Sequence, residues 1–179
     1  MQRNLFIIAL LFAFQTQAQE CEFETNDEGH AYYSSVEEVS GLSNTDLFDR
    51  GLEWINEYYV NPNGVIQLKD KEKMVIEGKA RLRLMTYDKK GNEVVGGGIV
   101  SYQIHLFFKD GRYKYEFERI RWEKPSYYDV TRWNDKSQVG YNEANYNFYK
   151  KQVIEYIDET IESLTEYMKV GKEEKSDEW

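Results

Sequence analysis

His105 is the side chain best suited by its type and surroundings to act as a general base. It lies in a run where polar and apolar residues alternate, and Glu116 or Glu118 in the next run would be the carboxylate that orients its ring. Nucleophilic catalysis also needs a hydroxyl or thiol within hydrogen-bond reach, and no pattern in the sequence marks one. A surface histidine is therefore favoured over a catalytic one.

The sequence contains few residues that could bind a metal ion or a phosphate group. His30 lies far from His105 along the chain, and Cys21 is the single cysteine, so the His and Cys clusters typical of zinc sites are missing from the sequence. The three glycines at 96–98 lead into a strand, whereas a phosphate-binding loop leads into a helix. They predict a hairpin turn or a bulge at the sheet edge. No catalytic residue, cofactor or metal is predicted.

A cationic row gives the first hint of binding. Lys79, Arg81 and Arg83 alternate with apolar residues, which places them on one face of a strand. The predicted binding face for an acidic partner or a glycan comprises Lys79, Arg81, Arg83, Gln103, His105 and Lys114. An ordinary solvated face with cross-strand ion pairs explains the same pattern, and it is favoured because such pairs are common on open sheets.

An aromatic segment gives the second hint. Its rings could stack on sugars or anchor a protein partner, or they could pack a long connection onto the sheet edge and the last helix. Packing is the favoured interpretation, since large rings dominate core area. The segment, within residues 122–149, comprises Trp122, Tyr127, Tyr128, Trp133, Tyr141, Tyr146 and Phe148.

Strands and helices that must position these residues can be predicted from periodicity. Ser43 is expected to cap a helix that ends at 61–64, and a second helix is expected from 142 to 168, stopped by Gly171. Alternation predicts strands at 32–39, 65–68, 74–84, 99–108 and 112–122, with 123–140 irregular. The apolar residues assigned to the first strand are Tyr33, Val36 and Val39. Gly111 marks the turn between the last two strands.

The order β-α-β-β-β-β-α predicts an α+β domain over residues 32–171. Its two amphipathic helices are expected to cover one face of a curved antiparallel sheet, with water on the other face. In the last strand the apolar face switches at Ile120 and Trp122, which predicts a bulge or the strand end there.

The chain begins with the pattern of an export signal. Arg3, an apolar core at 5–14 and small residues before Ala18 predict a signal peptide at 1–18, cleaved after Ala18. A loose segment at 19–31 would follow, and a charged tail would occupy 172–179. Glu20 before Cys21 disfavours a lipoprotein site. The mature protein is expected to be periplasmic or extracellular, without a transmembrane helix. The full chain carries a net charge of −9, which becomes −10 once Arg3 is removed with the signal peptide, and this charge disfavours nucleic acid as a partner.

Three short stretches resemble a family of exported proteins from Gram-negative bacteria, domain of unknown function 4468, which has a TBP-like fold. They are residues 47–55, 76–80 and 109–115, and their order and spacing carry more of the resemblance than any one alone. The resemblance implies a two-layer fold with a saddle-shaped sheet face opposite the helices. It implies no activity, cofactor or site residue, and the fold does not bring DNA binding with it.

The sequence therefore predicts an exported, non-enzymatic binding module whose partner is an unidentified envelope protein or glycan. Two alternatives remain open. One is a carbohydrate-binding module that uses the aromatic segment, for which a coplanar exposed row of rings would be expected. The other is an envelope hydrolase, for which clustered ionisable residues with shifted pKa values in a deep pocket would be expected.

Overall fold

The computed structural model describes residues 22–124 and 126–171, which form one antiparallel sheet with helices. The strands are β1 (Tyr33–Glu38), β2 (Ile66–Asp70), β3 (Val75–Tyr87), β4 (Glu93–Lys109), β5 (Arg112–Lys124) and β6 (Ser126–Asp129). The helices are α1 (Asn44–Tyr58), α2 (Pro62–Val65) and α3 (Glu143–Val170), with a 3-10 helix at Val130–Asn134. The expected signal segment 1–18, Cys21 and the tail 172–179 lie outside the described residues.

The sheet follows the order β1-β5-β4-β3-β2, and β6 pairs with β5 on the same side as β1. The core lies between this sheet and the two long helices. Phe48 of α1 meets Phe108 of β4 edge to face, with ring centroids 5.7 Å apart. Alternate residues of β3, among them Ile76, Ala80 and Leu84, are buried beneath the helices. The predicted α+β architecture with its long helices on one face is confirmed.

The start of α1 follows the predicted capping pattern. The Ser43 hydroxyl oxygen accepts a hydrogen bond from the Asp46 amide at 3.2 Å, and the Asp46 carboxylate accepts one from the Ser43 amide at 3.1 Å. These bonds with Ser43 lower the pKa of Asp46, which suits a carboxylate at a helix N-terminus. The buried face of α1 is rotated slightly from the predicted apolar stripe, because Trp54 is fully buried and Leu52 is only partly so.

The chain after α1 differs from the prediction. Residues 61–64 were expected only to end the helix, but Pro62–Val65 forms the short helix α2. The Asn61 side chain accepts a hydrogen bond from the Gly64 amide at 3.2 Å and so caps it. Proline is favoured in the first turn of a helix, where its missing N–H is not needed, so the same residue that ends α1 also starts α2.

A glycine bulge interrupts the pairing of β3 and β4. Leu84 pairs with Gly98 and Met85 with Val95, which leaves Gly96 and Gly97 looped out. The prediction of a bulge here is confirmed, but its place is corrected: it lies within the central strand β4, which begins at Glu93 and not at residue 99. The hairpin turn is at 88–92, where the Asp88 amide donates to the Asn92 carbonyl.

A second bulge lies in β5 at Arg119, whose φ of 50° is unusual for a side-chain-bearing residue. The pairing with β4 shifts register between Ser101 and Gln103. Beyond this point Ile120 is fully buried, as is Phe117 before it. The predicted switch of the apolar face is confirmed, and the strand continues past it.

Two segments expected to lack regular contacts are ordered against the domain. In the segment 19–31, Phe23 packs against Trp133 with ring centroids 6.1 Å apart, and the Ala31 amide donates to the Asp129 carboxylate at 3.3 Å. Within 123–140 lie β6 and the 3-10 helix, which the Asp129 side chain caps through the Thr131 amide at 3.0 Å. Within the segments 19–31 and 123–140, which were expected to be loose and irregular, these contacts hold residues 22–31 and 126–134 against the domain.

Candidate binding surface on the open face of the sheet

The face of the sheet opposite α1 and α3 is called the open face below. Antiparallel register places Lys79 opposite Gln103, Glu77 opposite His105, and Phe107 opposite Lys114. Because side chains alternate along a strand, all six residues of the predicted binding face share this side of the sheet. They are Lys79, Arg81 and Arg83 on β3, Gln103 and His105 on β4, and Lys114 on β5.

Two of these cations are already paired. The Arg81 Nε atom lies 3.3 Å from Oε1 of Glu123, whose side chain is only 11 % exposed. Lys114 forms an ion pair with Glu116, and a hydrogen bond between them raises the pKa of Lys114. Burial alone would raise the pKa of Glu116, but hydrogen bonds from Lys114 and Tyr32 outweigh it and hold that pKa below its usual value. Ion pairing on the sheet itself thus accounts for Arg81 and Lys114 of the predicted binding face.

His105 sits among carboxylates. Its Nε2 atom is 3.4 Å from a Glu118 oxygen and its Nδ1 atom is 3.9 Å from a Glu77 oxygen. Its ring stacks beside Phe107, with centroids 6.4 Å apart. Among the described residues, its polar side-chain contacts are to carboxylates alone, so the arrangement offers orientation of the ring but no adjacent nucleophile. In the same part of the chain, no group of three or more His, Cys, Asp and Glu residues is arranged to hold a metal ion.

An open hollow of about 480 Å³ lies at the end of the open face beside the β4–β5 turn; we call it the hairpin hollow. Three strands meet in it, because Lys114 of β5 pairs with Val36 of β1 on one side and with Phe107 of β4 on the other. Its lining residues are Val36, Phe107, Lys109, Arg112, Tyr113, Lys114 and Glu116.

The floor of the hairpin hollow is apolar and exposed. Val36 keeps 53 % of its surface accessible, and Phe107 is partly exposed on the other side of Lys114, which lies between the two. Val36 and Tyr33 were both named as apolar residues of the first strand. Residues three apart on a strand point to opposite faces, so Tyr33 takes the buried side and Val36 lies in the hollow.

The rim of the hairpin hollow is cationic. Lys109 and Arg112 are paired directly across the end of the hairpin, and Lys114 follows Arg112 on the same face. The carboxylate nearest Arg112 is that of Glu38, at 4.0 Å. No carboxylate of the described residues lies within ion-pair distance of Lys109. Lys109 and Arg112 thus give this rim positive charge that neighbouring carboxylates do not neutralise, although the whole chain carries a net charge of −9.

The position of the hollow is fixed by the start of α1. The Asn44 amide donates to the Asp110 carboxylate at 2.8 Å, and the Gly111 amide donates to the Leu42 carbonyl at 2.9 Å. Gly111 adopts a φ of 74°, as predicted for this turn. These bonds hold the β4–β5 turn, and with it Lys109 and Arg112, against the body of the domain.

Sequence reasoning included only Lys114 from this hollow. It missed Val36, Phe107, Lys109 and Arg112. The turn at Gly111 carried a usable signal for two of them, because residues that flank a two-residue hairpin turn face each other. The pairing of β1 with β5, which brings Val36 to the hollow, left no local signal in the sequence.

The aromatic segment is largely a packing cluster. Trp133 is fully buried and lies 5.7 to 6.2 Å, centroid to centroid, from the rings of Trp122, Tyr146 and Tyr149. The Trp122 indole N–H donates to the Gly97 carbonyl at 2.9 Å. The packing interpretation is confirmed for Trp133. The coplanar exposed row expected of a carbohydrate platform does not include it, because neighbouring rings cover both of its faces.

Comparison with known proteins gives this fold a family. The family model described as a domain of unknown function (DUF4468) with TBP-like fold matches residues 33–123, which run from β1 into β5 and cover half of the chain. The chain belongs to the DUF4468 family. No curated protein matches it.

Two solved structures share the DUF4468 fold. A DUF4468 family protein from Bacteroides ovatus ATCC 8483 is 17 % identical, with a TM-score of 0.62 over 80 % of this chain and 89 % of that one. A TBP-like protein from Parabacteroides distasonis ATCC 8503 is 16 % identical, with a TM-score of 0.56 over 81 % of this chain and 97 % of that one. At such identities the likeness establishes the fold alone. The predicted family and TBP-like architecture are confirmed.

Proposed function

We propose that this DUF4468 protein is an exported binding module that captures a partner on the open face of its sheet, at the hairpin hollow, without catalysing a reaction. The observation that carries the proposal is the hollow itself. It combines exposed apolar residues of its floor, Val36 and Phe107, with a cationic rim at one end of the open face.

The apolar floor supplies a reason to bind. A partner that covers Val36 and Phe107 removes their apolar surface from water. Such burial stabilises a complex by roughly 25 cal/mol per Å² of apolar surface. The surrounding charges would form the polar rim that protein interfaces usually have. The partner would be held at the hairpin hollow and would make further contacts with the neighbouring part of the open face.

Binding is favoured over catalysis by the surroundings of His105. Its side chain is 18 % exposed and its polar contacts are carboxylates, which is the environment of a cross-strand ion-pair network. A hydrolase would need a hydroxyl, thiol or activated water held against that ring.

The export part of the proposal rests on the sequence at 1–18, with its charge, apolar core and small residues in the order that signal peptidase substrates show. None of the helices in the described ranges is long and apolar enough to cross a membrane. The partner is accordingly sought among envelope proteins and glycans.

The test is in-cell crosslinking in the native envelope, followed by mass spectrometry, with two valine variants. Val36→Glu places a charge on the floor of the hollow. Val60→Glu is the matched control, because Val60 is fully exposed in the loop after α1 and does not line the hollow. We expect a partner that is recovered with the wild type and with Val60→Glu and lost with Val36→Glu. Equal recovery with Val36→Glu, with both variants folded by circular dichroism, would overturn the proposal.

A further inference from the structure

We propose that the hairpin hollow binds an acidic peptide segment. One carboxylate would lie between Lys109 and Arg112, and an apolar side chain would lie on the row formed by Phe107, the aliphatic stem of Lys114 and Val36. This inference rests on the function proposed above and adds the chemical class of its ligand. Four observations carry it: an unfavourable cation pair, the spacing of the lining residues, the openness of the hollow, and the pairing of Lys114 with Glu116.

The Lys109–Arg112 pair favours the binding of an anion. Lys109 and Arg112 are direct cross-strand partners, and like charges in that position destabilise a hairpin. Glu38 approaches Arg112 only to 4.0 Å, and half of the Arg112 side chain remains exposed. A carboxylate bound between the two cations relieves their repulsion, and the planar guanidinium of Arg112 offers it two parallel hydrogen bonds.

The spacing of the site matches an extended peptide. On β4 the apolar Phe107 lies two residues before the cationic Lys109, and on β5 Lys114 lies two residues after Arg112. The cation pair is therefore about 7 Å along the sheet from the row that contains Phe107. In an extended peptide, side chains i and i+2 also lie on one side and about 7 Å apart. An acid at i and an aliphatic residue at i+2 would therefore reach the cation pair and the apolar floor together.

The shape of the hollow favours a peptide over a small molecule. Small-molecule sites are usually concave enough to bury most of their ligand. This hollow, though about 480 Å³ in volume, is only partly enclosed and is open toward the neighbouring face of the sheet. A peptide gains further contacts along that surface, which a small carboxylate cannot do. A neutral glycan would leave the cation pair uncompensated.

Lys114 contributes less than its two neighbours. It is already bound to Glu116, which also accepts a hydrogen bond from the Tyr32 hydroxyl at 2.9 Å. This local pair neutralises Lys114 and leaves Lys109 and Arg112 as the residues that discriminate an acidic from a neutral ligand.

The experiment is an NMR titration of the ¹⁵N-labelled mature protein with two blocked synthetic hexapeptides. One carries an Asp and a Leu two residues apart, with serine at the other positions. The other has Asn in place of the Asp, which keeps the shape and removes the charge. We expect the acidic peptide to shift the amide signals of Val36, Phe107, Lys109 and Arg112. It should bind at least about tenfold more tightly than the neutral one, since charge-assisted hydrogen bonds are roughly twice as strong as neutral ones.

Two double variants place the site. Lys109→Glu/Arg112→Glu reverses the cation pair and keeps a like-charge pair across the hairpin, so the cost of repulsion to folding is matched. Lys79→Glu/Arg83→Glu is the control, with the same change of charge at exposed positions of the same face outside the hollow. We expect at least about a tenfold loss of affinity for the acidic peptide in the first and little change in the second.

The outcomes separate this inference from the function on which it rests. Equal binding of both peptides, no binding of the acidic one at millimolar concentration, or loss only in the Lys79/Arg83 variant would overturn the acidic-peptide inference. In each case a partner lost with Val36→Glu would still support the binding module. If octanoate shifted the same amides as strongly as the peptide does, the ligand would be a small amphipathic anion and the peptide inference would fail.

Discussion

On the covered face of the sheet polar atoms pair as neutral hydroxyls, whereas on the open face they pair as ions. Beneath the helices the Tyr102 hydroxyl lies 2.9 Å from that of Tyr59 and 3.1 Å from that of Tyr156. Burial raises the pKa values of Tyr59 and Tyr102, so both stay protonated. On the other side of the same strands, Arg81 meets Glu123. A buried hydroxyl needs only a partner, but an ion also needs water or a counter-charge.

This contrast separates stability from recognition. The covered face supplies most of the apolar burial, so substitutions there should unfold the protein. The open face keeps its charges hydrated, and substitutions there should change binding and pH response while the fold persists. The three predictions below test that division, from the largest expected effect to the smallest.

Trp133→Ala should have the largest effect. Trp133 is fully buried among aromatic rings, and removal of such a side chain costs about 3–5 kcal/mol of unfolding free energy through lost burial and the cavity left behind. Denaturant unfolding measures it. Tyr87→Ala is the control, since Tyr87 is 47 % exposed and should cost much less. A loss for Trp133→Ala no greater than for Tyr87→Ala would refute the packing role.

Gly97→Ala should have an intermediate effect. A Cβ atom at Gly97 would lie 2.7 Å from both the Met85 carbonyl oxygen and Leu84 Cβ, which the backbone cannot easily relieve. Overpacking of this kind costs about 1–3 kcal/mol. At Gly96 the nearest atom would be a Thr86 methyl at 3.1 Å, so Gly96→Ala should cost less. Thermal unfolding of the two variants measures the difference, and the reverse order would mean that the bulge is packed differently.

Glu116→Gln should have the smallest effect and should appear mainly as a change in pH dependence. The pKa of Glu116 is lower in the folded protein than its usual 4.5, so its ionisation contributes stability above that pH, and the contribution is lost as the pH falls through the folded-state value. The variant should lose less stability than the wild type on acidification from pH 5 to about 3.

Asp158 serves as a control, because its ionisation should lower the stability of the fold, whereas that of Glu116 should raise it. Burial, reinforced by repulsion from Glu155, raises the pKa of Asp158 in the folded protein. Its ionisation therefore lowers stability at neutral pH, and Asp158→Asn should raise the melting temperature slightly at pH 7. Parallel pH profiles for wild type and Glu116→Gln would show that the open-face pair does not set the acid response.

The elements that the sequence predicted well are those defined by local chemistry. The capping box at Ser43 and the alternation of β3 need only neighbours along the chain. The 28-residue helix α3 likewise follows its apolar stripe. The fold class and the shared face of the cationic residues follow from these elements.

The parts that were missed depend on distant residues. Strand β6 forms because β5 offers a free edge beyond β1, and Phe23 is ordered by Trp133 far along the chain. The hairpin hollow needs β1 to pair with β5, and register over such a separation has no local determinant. The local sequence named Val36 only as an apolar residue of the first strand, whereas pairing places it on the open face.

The pairing of β1 with β5 also has a kinetic consequence. The hairpins β3–β4 and β4–β5 join neighbouring segments, so their loops close early, whereas Val36 and Lys114 are joined across most of the domain. The apolar floor is therefore complete only after the longest loop between paired strands has closed. A molecule with β1 detached would retain both hairpins and Phe107 but would lack Val36, so ligand affinity would report how often that strand lies in place.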